Sequence, residues 1–285
     1  MQVFIIPTLP LAALIALICM ALAILGFYLF RRLNLHTKFG QNNAFTASIY
    51  PIIGAIYGVF LAFTVIIAWG QFLNAKKSAT SEATYLSQLW RDAQVFPAPV
   101  RNQIEQHLAE YTKAVAELEW RTMAVSGKAS PEAQITYEGL WQCYYRFEPQ
   151  TFQQRAFYRL SLQALNELGR QRRLRILESR SKLPTPMWVF LICGGVLTIF
   201  YTYLFGARHQ RLQGLVIGLL SGLIGFSLFL ILSLQYPFTG DISIKPEAFQ
   251  ELSASFTYRA NKQLPELRAP TRKMRQPQRS PEPRS

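Results

Sequence analysis

Charge is missing from four long stretches of this sequence, and most chemistry is missing with it. Residues 4–30, 44–74, 187–206 and 214–234 contain no Asp, Glu, Lys, Arg or His. Ionisable groups inside apolar spans mark proton relays and ion-coupled carriers. Their absence argues against a carboxylate-based pump or a proton-coupled exchanger. Histidine is scarce: His36, His107 and His209 are the full set, and none has a Cys, Asp or Glu at metal-ligand spacing. No metal site is expected. Cysteine is scarce too. Cys19, Cys143 and Cys193 form no CxxC pair, and an odd count gives no disulfide framework. The glycines, Gly194-Gly195 included, match neither a dinucleotide fingerprint nor a phosphate loop. With no nucleophile beside a base, the chain is not expected to be an enzyme and no cofactor is expected. The formal charge of +14 comes without a nucleic-acid motif. It therefore points to anionic lipid rather than to nucleic acid.

What is present is apolar length. Residues 49–72 run for 24 positions without a charge, roughly 36 Å as a helix against a hydrocarbon core of about 30 Å. The four charge-free blocks read as transmembrane helices at 4–30, 44–74, 187–206 and 214–234. The first is long, lacks a basic leader and is followed by Arg31-Arg32, so it reads as a retained span and not a signal peptide. The second carries Gly54, Gly58 and Ala62 four apart, and the fourth repeats the device with Gly214, Gly218 and Gly222. Small residues on one face let helix backbones approach closely. Both sets are expected to pack helices, within a subunit or between subunits.

The helical pattern of the second span continues past the membrane to about residue 96, through Ala75, Ala79, Ala83, Leu86 and Trp90. Residues 75–185 hold 16 Lys/Arg and 11 Asp/Glu and form a water-facing insert between spans two and three. It shows no strand run and is expected to be a helical bundle. Ile104, Leu108, Tyr111, Val115, Leu118, Thr122 and Val125 step by 4 and 3 alternately, a heptad seam. Ser130-Pro131 reads as an N-cap followed by proline at the first helical position. In Glu119-Trp120-Arg121 the acid is expected to pair with a nearby Arg, with the indole at a helix contact. Residues 235–263 read as a juxtamembrane segment with an amphipathic helix (Phe249, Leu252, Phe256). Residues 264–285, with five prolines and six basic residues, read as a disordered tail. The fold class is thus an all-α membrane protein, four transmembrane helices with a soluble helical insert.

Four spans place both termini and the insert on one side. Lys76, Lys77, Arg91, Lys245 and the cluster Arg170, Arg172, Arg173, Arg175, Arg180 and Lys182 lie there, ten residues against Arg31, Arg32, Lys38, Arg208 and Arg211 opposite. The basic excess favours the cytoplasm for the insert and tails, although Arg31-Arg32 after the first span pull the other way.

Several short motifs occur together. Gly58-Val59-Phe60-Leu61-Ala62-Phe63 runs into Trp69, then Glu82-Ala83. Tyr111, Val115 and Glu119-Trp120 follow in the order Y-x3-V-x3-EW. Pro186-Met187-Trp188 opens the third span. Pro237-Phe238-x-Gly240 closes the fourth, ahead of Pro246-Glu247-Ala248-Phe249. Over most of residues 45–250 this combination resembles the bestrophin-like domain family of bacterial and plant membrane proteins. The resemblance implies the four-span plan with a central insert, similar to that of bestrophins, which are homo-oligomeric anion channels with an apolar neck. No acidic cluster aligns with a calcium clasp. The expected function is a homo-oligomeric, anion-favouring channel of the bacterial inner membrane. Its partners would be the bilayer, further copies of the chain and inorganic ions, and its apolar pore would be lined by the second span at Tyr57, Phe60, Phe63 and Thr64. The alternative is a non-conducting scaffold whose insert binds a partner.

Overall fold

The computed structural model describes residues 8–33, 43–204 and 209–268. The basic loop residues Lys38 and Arg208, and the tail from residue 269 onward, lie outside those residues. The described chain is helical throughout and contains no strand.

Two apolar helices open it, α1 (Thr8–Arg32) and the 51-residue α2 (Asn43–Ala93). The soluble elements follow: α3 (Ala98–Ala114), a π-turn (Val115–Glu119), α4 (Trp120–Ser126), α5 (Pro131–Tyr145) and α6 (Phe152–Glu178). Next come α7 (Thr185–Tyr203), α8 (Gln210–Leu234) and α9 (Glu247–Arg268). The segments within α1, α2, α7 and α8 are long and apolar enough to cross a membrane. The backbone of α9 stays helical to Arg268, so residues 264–268 belong to a helix and not to the expected disordered tail.

Local chemistry explains the boundaries. Pro97 sits at the N-cap of α3, where its missing N–H costs nothing. The Ser130 hydroxyl accepts from the Ala133 N–H, with Pro131 at the first position of α5. Thr151 and Gln154 form a reciprocal capping box at the start of α6. Gly127 ends α4 with φ 63°, a left-handed cap that a β-carbon would oppose.

α2 is the shared spine. Its first half packs against α7 and α8, and its second half packs along α6. α1 lies against α8. The soluble core gathers Ala75, Ala79, Leu86, Leu89, Ile104, Leu108, Leu140, Leu165 and Leu168. Each fully buried Leu or Ile contributes about 1.5–3 kcal/mol.

The π-turn changes the expected seam. The Trp120 N–H bonds the Val115 carbonyl, five residues back. One extra residue therefore enters the turn and rotates everything after it. Ile104, Leu108, Tyr111 and Val115 are buried as the heptad predicts. Past the turn, Leu118 is 42% and Val125 is 74% exposed. Glu119, Trp120 and Met123 take the inner face instead.

Candidate functional site

Two features stand out: a charge-free, unpartnered face on α2, and a charged knot that holds the soluble half of the same helix.

The knot centres on Arg175. Its position on α6 continues the inward stripe of Ser161, Ala164, Leu165, Leu168 and Arg172. Glu82 lies on the inward stripe of α2 among Ala75, Ala79 and Leu86. Arg175 Nε reaches Glu82 Oε2 at 2.7 Å, and Nη2 reaches Glu82 Oε1 at 3.0 Å. The same Nη2 meets Glu119 Oε1 at 2.7 Å. Arg172 Nη2 lies 2.7 Å from Glu119 Oε2, and its Nη1 donates to Gln134. The Tyr111 hydroxyl donates to Glu82 Oε1 at 2.5 Å, and the Ser130 N–H to Glu119 Oε2 at 3.1 Å. Trp120 stacks under the Arg175 guanidinium at 5.2 Å, and its indole N–H bonds the Ile244 carbonyl at 2.9 Å. Phe238 and Phe249 both pack on the Trp120 ring at 5.4 Å.

Two arginines face two carboxylates, so the knot carries no formal charge. Burial would raise the Glu119 carboxyl, but the Arg175 charge and the Arg172 hydrogen bonds hold it below its ordinary range. Burial would lower Arg175, yet Glu82 and Glu119 raise it further above its already high value. Tyr111 is pushed well up by burial and then by the Glu82 charge. Near neutral pH Glu119 is thus ionised, Arg175 charged and Tyr111 neutral. The arrangement holds helices together; it offers no group poised for proton transfer. Among the described residues, no group of three or more His, Cys, Asp or Glu side chains is placed to hold a metal ion.

The expected basic cluster is therefore divided. Arg170 and Arg173 are exposed, whereas Arg172 and Arg175 are buried in ion pairs. Sequence reasoning assigned Glu119 an Arg partner but missed Glu82 with Arg175. The available signal was phase: each sits where its helix otherwise presents small or apolar residues inward.

The expected pore residues are divided too. Tyr57 is buried and donates to the Leu191 carbonyl of α7 at 3.2 Å. Thr64 is fully buried and bonds its own helix at the Phe60 carbonyl. Phe60 is half-buried against Phe190, ring centroids 4.1 Å apart. Phe63 faces outward and is 62% exposed. Tyr57 and Thr64 thus point toward their own chain, and Phe63 points away from it. Ile52, Ile56, Val59 and Ile66 share the outward side with Phe63.

The two small-residue ladders have different fates. A β-carbon on Gly218 would meet Ile24 Cδ1 of α1 at 2.8 Å, and one on Gly222 would meet Met20 Cε at 3.3 Å. Gly214 faces Phe27 and Tyr28, and the Ser221 hydroxyl donates to the Cys19 carbonyl. The α8 ladder is filled by α1 of the same chain. Gly54 and Gly58 have nothing within 4 Å of a built β-carbon, and Ala62 is exposed. Beside this face, Ile53, Ile56, Phe190, Cys193 and Leu197 line an apolar groove of ≈ 570 Å³ between α2 and α7.

Comparison with known proteins agrees with this geometry. The bestrophin-like domain profile matches residues 17–249. No relative matches among the curated proteins. Several similar folds are variants of a bacterial bestrophin homologue from Klebsiella pneumoniae. One has TM-score 0.65 at 12% identity, with 89% of this chain and 99% of that chain covered. A second has TM-score 0.64 at 13% identity, covering 92% and 100%. A third has TM-score 0.63 at 14% identity, covering 87% and 98%.

Proposed function

The chain belongs to the bestrophin-like domain family, and from that premise we propose that it is the subunit of a homo-oligomeric ion channel whose pore runs along the outward face of α2. The observation that carries the reading is that face itself. From residue 47 to 75 it bears no charge, a β-carbon on Gly54 or Gly58 would meet nothing of its own chain within 4 Å, and Ala62 is exposed. An isolated apolar face with a small-residue ladder calls for a second helix. Identical copies supply one, and arranging them about an axis leaves Phe63 and its neighbours around a narrow apolar passage. Such a passage conducts when wetted and closes by dewetting.

Anion preference follows from what lies at its mouth. Lys76 and Lys77 are the first charges after the span, and Lys76 and Lys245 line a ≈ 310 Å³ cavity in which Glu247 is the one acid, leaving the excess positive. Like-signed charge at a constriction raises the local concentration of counter-ions. Orientation rests on the basic excess around the insert. Removing the paired Arg172 and Arg175 from that count leaves eight residues against five, an excess that still favours the cytoplasmic side of a bacterial inner membrane for the insert and termini.

The test is conductance of purified protein in planar bilayers. Phe63→Ala should raise unitary conductance by widening the apolar passage. Lys76→Glu with Lys245→Glu should move the reversal potential in a salt gradient toward that of cations. No current over a wide voltage range sinks the channel reading.

A further inference from the structure

A cleft separate from the proposed pore lies where the soluble elements meet the ends of two apolar helices. It has a volume of ≈ 320 Å³ and is lined by Ser126, Gly127, Arg180, Lys182, Tyr236 and Thr239, with Met123 and Phe238 also among its walls. That is more than about twenty times the space one water occupies. Lys182 stands three residues before α7 begins at Thr185, and Tyr236 two residues after α8 ends at Leu234. With α7 and α8 as spans, the cleft lies at headgroup level, where tyrosine is favoured.

Its chemistry is one-sided. No Asp or Glu lines it. Arg180 is held through its Nε, which donates to the Gly127 carbonyl, and Ser179 Oγ bonds the same oxygen at 3.3 Å. The left-handed Gly127 permits this approach, since a β-carbon there would already lie 3.1 Å from Arg180 Cγ. Lys182 Nζ sits 5.0 Å from the Tyr236 ring centroid. Among the described residues neither cation has a carboxylate partner within salt-bridge distance. Two exposed cations with donors to spare, a hydroxyl rim and an apolar wall match a phosphodiester attached to an acyl chain.

We propose that this cleft binds the phosphate of an anionic phospholipid, with Arg180 and Lys182 as the donors. The site anchors the cytoplasmic ends of α7 and α8 to the headgroup layer. It requires that these helices span the membrane and does not require conduction, so the two readings fail separately.

Native mass spectrometry of the full-length protein, released from micelles doped with phosphatidylglycerol or phosphatidylcholine, tests it. Phosphatidylglycerol should be retained preferentially. Lys182→Gln and Arg180→Gln, made separately so that misfolding of one leaves the other informative, should each lower retention about fivefold, the loss of roughly 1 kcal/mol per basic residue near the surface. Lys113→Ala, exposed on α3 and outside the cleft, should change it little. Equal retention of the two lipids, or equal losses in all three variants, overturns the site. Displacement of phosphatidylglycerol by millimolar inorganic phosphate overturns the lipid as the source of the phosphate.

Discussion

At the residue scale, Arg175 has more depending on it than any other side chain in the soluble half. It is fully buried, bonded to two carboxylates, and stacked on Trp120. Buried ion pairs are costly to desolvate, so their net contribution is modest, but breaking one leaves charge stranded. Arg175→Met strands Glu82, while Glu119 keeps Arg172 and the Ser130 N–H. It should cost about 3–5 kcal/mol, read as a lower apparent melting temperature of the detergent-solubilised protein, and adding Glu82→Gln should recover part of the loss. The pH dependence has a definite sign. Folding lowers the Glu119 pKa from its ordinary 4.5, so as pH falls the unfolded chain takes up this proton first. The stability contributed by Glu119 is present above about pH 4.5 and is lost as pH drops through the folded value. Glu119→Gln should start less stable and show a flatter acid decline. A decline as steep as that of the parent protein would place acid sensitivity elsewhere.

At the element scale, the π-turn decides which residues the third and fourth helices bury. The sequence pattern of 4 and 3 steps is real up to Val115, and no residue type in Val115–Glu119 announces an extra residue. What produces the turn is the knot: only a one-residue rotation brings Glu119 to Arg172 and Arg175 and puts Trp120 under Phe238. A pattern read along one helix cannot see a constraint imposed by another helix 53 residues away. A helix start, by contrast, is legible where residues act on their own backbone, as Ser130-Pro131 do. The motif residues Glu82, Tyr111, Glu119, Trp120, Phe238 and Phe249 were also readable as a set, yet their convergence on Arg175 was not. The register makes a direct prediction. Met123→Ala should cost about 2–5 kcal/mol, whereas Val125→Ala should stay within about 0.5 kcal/mol. A larger cost at Val125 than at Met123 would mean that the uninterrupted heptad holds in solution.

At the scale of the whole molecule, the contrast between the two glycine ladders separates folding from assembly. From sequence the ladders are alike, four-residue steps of small side chains in apolar helices. Their difference depends on which helix arrives opposite, and that is set by the path of α1 against α8. The α8 ladder is consumed within the subunit, whereas the α2 ladder is left for whatever meets the subunit from outside. Bulk added to the first should damage the subunit, and bulk added to the second should damage only the contact between copies. Gly218→Leu drives a side chain into Ile24 and Met20, already 2.8 and 2.9 Å from a bare β-carbon. Overpacking of this kind costs about 1–3 kcal/mol, so the variant should melt earlier. Gly58→Leu has open space in its own chain and should melt as the isolated subunit does, while chemical cross-linking and size-exclusion light scattering show a smaller assembly. If Gly58→Leu leaves the oligomer intact, copies do not meet along α2, and the passage proposed there has no walls.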